Sequence, residues 1–245
     1  MPDDASRPLV IAHRGASAEA PENTIAAFEL AIQQGADAIE LDVHLSGDDQ
    51  LVVIHDWTLE RTTDGAGAVR DRSVQELKRL DAGSWHSPAF RGQRLQTLLE
   101  VLERFRDRTR FWIELKAGSD LYPGIEERVV TSLEIYDVLD RTLVQSFDHG
   151  ALRRARTLSP EVRLGALVAQ PPLDPSVVAP GLVQAVCPGA HLLTEGDIAL
   201  IREAGLGCYV WTVNEPALMD RLVSWGVSGI ITDRPALLRA RLAGH

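Results

Sequence analysis

Lysine is nearly missing from this chain: Lys78 and Lys116 are the only two among 25 basic side chains. A lysine that falls in a site is therefore conspicuous. Cysteine is as scarce. Cys187 and Cys208 stand alone, with no CxxC and no Cys/His cluster, which excludes a zinc–thiolate centre. Nothing in their spacing argues for a disulfide between them. No apolar run is long enough to span a membrane, and no basic segment leads into an apolar one at the N-terminus. The expectation is a soluble, cytoplasmic protein without stable membrane association. Positive charge is also in deficit. A net charge of -10 excludes a general affinity for nucleic acid or for anionic membrane surfaces. An anionic substrate must then be met by a local cluster of cations.

What is present is a regular alternation. Its length of 245 residues suits a single α/β barrel. Short apolar runs at 9–12, 38–45, 51–54, 111–116, 143–147, 164–168, 183–186, 207–213 and 229–232 read as strands. Helical spacing recurs between them, at Ile25, Phe28 and Ile32 with Gly35 closing the helix, and at 97–106, 124–136, 149–158, 195–204 and 215–225. Strand–helix alternation means a parallel sheet, and about eight units suggest closure into a (β/α)8 barrel. The candidate strands number one too many. The connection from Asp42 to Leu51 is too short for a helix and is expected to be an extended crossover. Residues 57–95 are rich in Gly, Asp, Arg and Thr, with one short helix opened by a Ser73–Glu76 capping box. They read as a small insertion after the third strand, within a single domain of residues 1–245. The prolines of 170–182 mark a loop. Asn23 is the expected N-cap of the first helix.

The stretch Ala38–Leu45 carries the chemistry. Ile39, Leu41, Val43 and Leu45 alternate with Glu40, Asp42 and His44. On a strand, Glu40 and Asp42 share one face about 7 Å apart. Two such carboxylates repel, and near an interior they need positive charge between them. A hard cation held by oxygen ligands supplies it. An edge strand with a solvated acidic face fits this segment alone equally well.

The polar residues elsewhere tip the balance. His13, Glu40, Asp42, His55, Glu114, Lys116, Phe147 and Trp211 all fall at or near C-terminal ends of expected strands, the face where barrel sites are built. Three carboxylates suit Mg2+ or Ca2+. Two histidines titrate near neutrality, so one takes a proton while the other gives one. Lys116 and Arg14 are donors for an anion. Together these describe phosphodiester cleavage. Plainer readings exist for each: strand-end histidines, a simple Glu114–Lys116 pair, a rim tryptophan. His44 has the parity of Glu40 and Asp42 but is expected past the barrel rim. His86, His149, His191 and His245 read as surface or structural.

The sequence resembles the glycerophosphodiester phosphodiesterase family. The matching stretches are His13-Arg14-Gly15 with Pro21-Glu22-Asn23-Thr24, Ile39-Glu40-Leu41-Asp42-Val43 and Val52-Val53-Ile54-His55-Asp56. They continue with Leu59-Glu60-Arg61-Thr62-Thr63, Ile113-Glu114-Leu115-Lys116, Gln145-Ser146-Phe147, Val210-Trp211-Thr212-Val213-Asn214 and Thr232-Asp233-Arg234-Pro235. The order of these stretches covers nearly the whole chain. The resemblance implies a TIM-type barrel and hydrolysis of a small-molecule glycerophosphodiester to glycerol 3-phosphate and an alcohol. It implies His13 and His55 as the acid/base pair, and Glu40, Asp42 and Glu114 as ligands of one divalent cation. It also implies phosphate contacts from Arg14 and Lys116, with Phe147 and Trp211 at the substrate. Leu95-Gln96-Thr97-Leu98 departs from a more usual Ile-Pro-Thr-Leu and touches only the start of a helix. Two alternatives stand beside this reading: a phosphodiesterase of lysophospholipids or phosphoinositide-like diesters, and a barrel that binds phosphodiesters without cleaving them.

Overall fold

The computed structural model describes residues 7–174, 178 and 181–244. Part of the proline-rich loop and His245 lie outside them. The strands in chain order are β1 (Leu9–Ala12), β2 (Ala38–Leu45), β3 (Leu51–Val53), β4 (Gln96–Thr97), β5 (Arg110–Leu115), β6 (Thr142–Ser146), β7 (Arg163–Val168), β8 (Ala185–Pro188), β9 (Gly207–Val210) and β10 (Gly229–Thr232). Eight of them, all but β3 and β4, form a parallel ring in the order β1-β10-β9-β8-β7-β6-β5-β2. The ring closes because β1 pairs with β10 on one side and with β2 on the other, where Ile11 faces Ala38 and Ala12 faces Ile39. The chain is a closed (β/α)8 barrel.

The ninth candidate strand is β3, and the expected extended crossover is wrong. β3 runs antiparallel to β2, with Val43 opposite Val53, and β4 then pairs antiparallel with β3. The connection is a hairpin turn. Ser46 Oγ donates to Asp48 and accepts from Gln50 N, and Asp49 adopts a left-handed φ of 58°. A link this short can reverse the chain but cannot carry it to a parallel neighbour.

The helices are α1 (Ile25–Gln33), α2 (Val74–Leu77), α3 (Leu98–Phe105), α4 (Ile125–Ile135), α5 (His149–Leu158), α6 (Glu195–Glu203), α7 (Pro216–Ser224) and α8 (Pro235–Ala243). Most match the sequence expectation to within a residue or two. The strand expected at 183–186 lies two residues later, and β9 stops at Val210. Helix α8 had no expected counterpart; it begins on Pro235, whose fixed φ suits a first helical position. Among the described residues no helix is long and apolar enough to cross a membrane.

The strands bury both faces. Outward residues such as Ile39, Leu41, Val43, Phe111 and Ile113 pack under the helices with Phe28, Leu102 and Phe105. Inward residues Ile11, Ala38, Trp112, Leu143, Leu167, Cys187, Tyr209 and Ile231 fill the lower barrel, where the Trp112 and Tyr209 rings meet edge to face at 5.2 Å. Both cysteines are buried free thiols. The stretch 57–95 carries helix α2 and its capping box, and it has a small apolar cluster of its own. Leu59, Val69, Leu77, Ala82 and Leu95 pack there against Val52 and Ile54.

Candidate active site at the C-terminal rim

Above that apolar plug the inward residues turn polar. Strand parity sets this change: β2 points Ala38, Glu40, Asp42 and His44 to one side, and the β2–β5 register puts Asp42 directly beside Glu114. Carboxylate oxygens of Glu40, Asp42 and Glu114 lie within 4.8 Å of one another, and all three residues are buried. His13, Arg14, His55, Lys116, Phe147 and Trp211 line the same pocket with Glu40 and Glu114. The structure thus brings together every residue that the sequence placed at the rim.

The cations are built into the acidic cluster. Lys116 Nζ lies 2.8 Å from Glu114 Oε1 and 3.5 Å from Asp42 Oδ1. Arg14 Nε lies 3.2 Å from Asp42 Oδ2. Arg14 itself has a left-handed φ of 54°, and this turn aims its backbone N–H at Glu40 Oε2, 3.0 Å away. Gly15 completes the turn at φ 88°. A Cβ there would come within 2.6 Å of the Ala27 backbone, so only glycine fits.

Electrostatics divide the three carboxylates. Burial and the Asp42 charge push Glu114 up to about 7, against the pull of Lys116. Burial, Asp42 and Glu114 raise Glu40 well above its ordinary range, although Arg14 opposes them. Asp42 is the reverse case. Burial works against its charge, but Arg14, Lys116 and His55 together hold it well below the usual carboxylate range. Asp42 Oδ1 is buried with no hydrogen-bond partner, and so is Oε1 of Gln145, which β6 places beside Glu114. Oxygen-rich, thiolate-free and short of positive charge, this set suits a hard divalent cation.

The two pocket histidines share one geometry. His13 Nδ1 donates to Asp233 Oδ1 and His55 Nδ1 to Asp56 Oδ1, each at 2.6 Å. That fixes the tautomer and leaves Nε2 of each ring for a proton in transit. Burial acts against the Asp233 charge, yet hydrogen bonds from His13, Asn214 and Ser17 hold its pKa down at about 2. Burial lowers the pKa of His55, and the Arg14 and Lys116 charges lower it further, against Asp42 and Asp56. Phe147 and Trp211 form an edge-to-face pair at 5.6 Å, and the Trp211 indole donates to the Cys187 carbonyl. Phe147 is 47% exposed, so this wall opens to solvent.

One sequence expectation needs correction and another an addition. Asn23 is not the N-cap of α1; Thr24 is, with its hydroxyl accepting from Ala27 N. Asn23 takes a left-handed φ of 57°, and its amide donates to Asp42 Oδ2 at 2.8 Å. His44 does lie past the parallel ladder, which ends at Val43, but it is buried. Trp57 and Tyr122 pack edge to face against its ring, and burial lowers its pKa to about 4. Its Nε2 donates to the His55 carbonyl and its Nδ1 accepts from the Tyr122 hydroxyl, so it is a neutral strut under His55. Gln145, Asp56, Asp233 and Glu22 were not singled out for roles in the sequence, and Asn23 only as a helix cap. Strand parity with Phe147 could have found Gln145, and adjacency to His55 could have found Asp56.

Comparisons with known proteins point to one family. The model of the glycerophosphoryl diester phosphodiesterase family matches residues 13–237. A glycerophosphodiester phosphodiesterase from Caldanaerobacter subterraneus is 41% identical over 232 residues, covering 94% of this chain and 96% of its own. The crystal structure of a glycerophosphodiester phosphodiesterase from Agrobacterium tumefaciens superposes with a TM-score of 0.83 at 34% identity, covering 95% of this chain and 99% of that one. A phosphodiesterase from Oleispira antarctica, solved in complex with the product sn-glycerol-3-phosphate, gives a TM-score of 0.85 at 33% identity and covers 97% of both chains.

Proposed function

Because the chain belongs to the glycerophosphoryl diester phosphodiesterase family, we propose that it hydrolyses glycerophosphodiesters to glycerol 3-phosphate and an alcohol by a two-histidine acid/base mechanism. The observation that carries this reading is the pair of imidazoles, each braced at Nδ1, lining one pocket with three buried carboxylates and two cations. Arg14 and Lys116 hold the phosphate as fixed positive charges. One imidazole accepts, at Nε2, a proton from the water that attacks phosphorus; the other, protonated, donates its Nε2 proton to the departing alcohol oxygen as the P–O bond breaks. Phe147 and Trp211 wall the side where an organic group sits.

Glu40, Asp42 and Glu114 would hold one divalent cation, Mg2+ or Ca2+. Bound there, the ion offsets the mutual repulsion of the carboxylates and the charge on non-bridging phosphate oxygens. The buried Asp42 Oδ1, which accepts no hydrogen bond, supports that fit. Trp57, Leu121 and Phe147 expose apolar surface on loops that follow β3, β5 and β6, so a lysophospholipid belongs among the substrates tried. The test is a coupled assay for glycerol 3-phosphate over several head groups, after chelation and with Mg2+, Ca2+ or Mn2+ restored. Release that requires a restored ion supports the reading. Tight binding with no release under any ion would favour a barrel that only binds phosphodiesters.

A further inference from the structure

The excursion sends one side chain back into the framework of the site. Arg61 lies in the turn after Asp56, and its side chain is 44% exposed. Its Nε and Nη2 donate to Asp56 at 2.6 and 2.9 Å, while Nη1 and Nη2 donate to Glu22 at 2.7 and 2.8 Å. Each carboxylate serves a second group. Asp56 accepts from His55 Nδ1 at 2.6 Å, and Glu22 accepts from Arg14 Nη1 at 2.9 Å. One planar cation therefore sits between the carboxylate that holds an imidazole and the carboxylate that holds a pocket guanidinium. Only a rigid fork of donors can serve both at once; an ammonium is a point charge.

We propose that Arg61 is a positioning residue, which orients His55 through Asp56 and Arg14 through Glu22 without itself touching substrate. The proposal rests on the reading of His55 as a proton carrier. The local charges agree with it. The Arg61 hydrogen bond is the largest influence holding Asp56 well below the usual carboxylate range. Burial pushes Glu22 up, and Arg61 and Arg14 more than reverse it. Arg61 itself is 44% exposed, so water can replace its guanidinium at modest cost in stability, and the consequence falls on turnover instead of melting.

The test compares Arg61→Ala and Arg61→Lys with the unaltered chain, using glycerophosphocholine as substrate. Arg61→Ala is expected to lose about 10- to 100-fold in kcat, the usual cost of removing a partner that orients a working side chain. KM rises as Arg14 loosens, and the melting temperature stays put. Methylguanidinium in the buffer restores part of the rate. Arg61→Lys recovers only part, since it reaches one carboxylate at a time. A second measurement is independent of turnover: the His55 Nδ1 proton resonance, identified by its loss in His55→Ala, is lost or shifted in Arg61→Ala. A kcat within about twofold of the unaltered chain, with that resonance unmoved, overturns the proposal. If Arg61→Ala does not stay folded, the same two measurements on Arg61→Lys decide it. His55→Ala separates the two readings. Normal turnover there sinks the two-histidine mechanism, whereas an inactive His55→Ala beside a normal Arg61→Ala sinks only the role of Arg61.

Discussion

His13 and His55 are held alike at Nδ1 and differently everywhere behind it. Asp233 is backed by neutral donors, Ser17 Oγ at 2.9 Å and Asn214 Nδ2 at 2.5 Å, on segments flanking β1 and β9. Asp56 is backed by Arg61, in a chain of alternating charges that runs on to Glu22 and Arg14. The first brace belongs to the barrel seam. The second hangs from a small apolar cluster of its own. The same ring geometry is reached by neutral hydrogen bonding in one place and by paired charge in the other, so the two should yield to different perturbations.

The bluntest way to break the comparison is to remove the rings. His13→Ala and His55→Ala are each expected to cost about 10² to 10⁴ in turnover, the usual worth of a positioned acid or base, with an unchanged circular dichroism spectrum. Equal losses make the two braces equivalent in outcome; normal turnover in either variant removes that histidine from the mechanism. Next come the carboxylates. Asp233→Asn and Asp56→Asn keep the shape but disturb the tautomer, and steady-state assays should show losses of about tenfold or more in each. Only the Asp56 loss should shrink when Arg61 is already replaced.

Leu77→Ala sharpens the contrast further. Leu77 is fully buried in the excursion's cluster, and its truncation is expected to cost about 2–4 kcal/mol. Limited proteolysis should then cut within 59–95 before it cuts the barrel. Acid should test the other side. The Asp233 pKa is held down from 3.8 to about 2. A carboxylate depressed in the folded state stabilises it above the ordinary pKa, and that contribution fades as pH falls from about 4 towards 2. Roughly 2 kcal/mol is at stake, and urea melts of Asp233→Asn across that window should show a flatter pH dependence than the unaltered chain. Salt gives the smallest effect. About 0.5 M NaCl should weaken the Asp56–Arg61–Glu22 chain, whose arginine faces water, by a few tenths of a kcal/mol and leave the Asp233 brace unmoved, read as His55 and His13 resonances.

Period two was enough to put Glu40 with Asp42 and Glu114 with Lys116, because strand parity is a local rule. The closed ring was legible for the same reason: each strand and helix announces itself within its own window. The braces were not. Asp233 lies 220 residues from His13, and no spacing rule spans that gap. Asn23 looked like a cap because asparagine caps well; with Thr24 capping instead, its amide is free for Asp42. The burial of His44 and the identity of the surplus strand were both hidden. Both depend on the β2–β3 hairpin, and a turn of Ser, Gly and Asp does not reveal from sequence alone whether the chain reverses or crosses over.

Strand β1 lies between β2 and β10, so the earliest strand of the ring to leave the ribosome waits for the latest of the ring before it can shut. A polypeptide halted just before Gly229 already contains every side chain proposed here for binding or proton transfer. It still lacks the strand beside β1 and the aspartate that steadies His13. Premature termination over that final stretch of the message should yield an inert product, however complete its inventory of working residues.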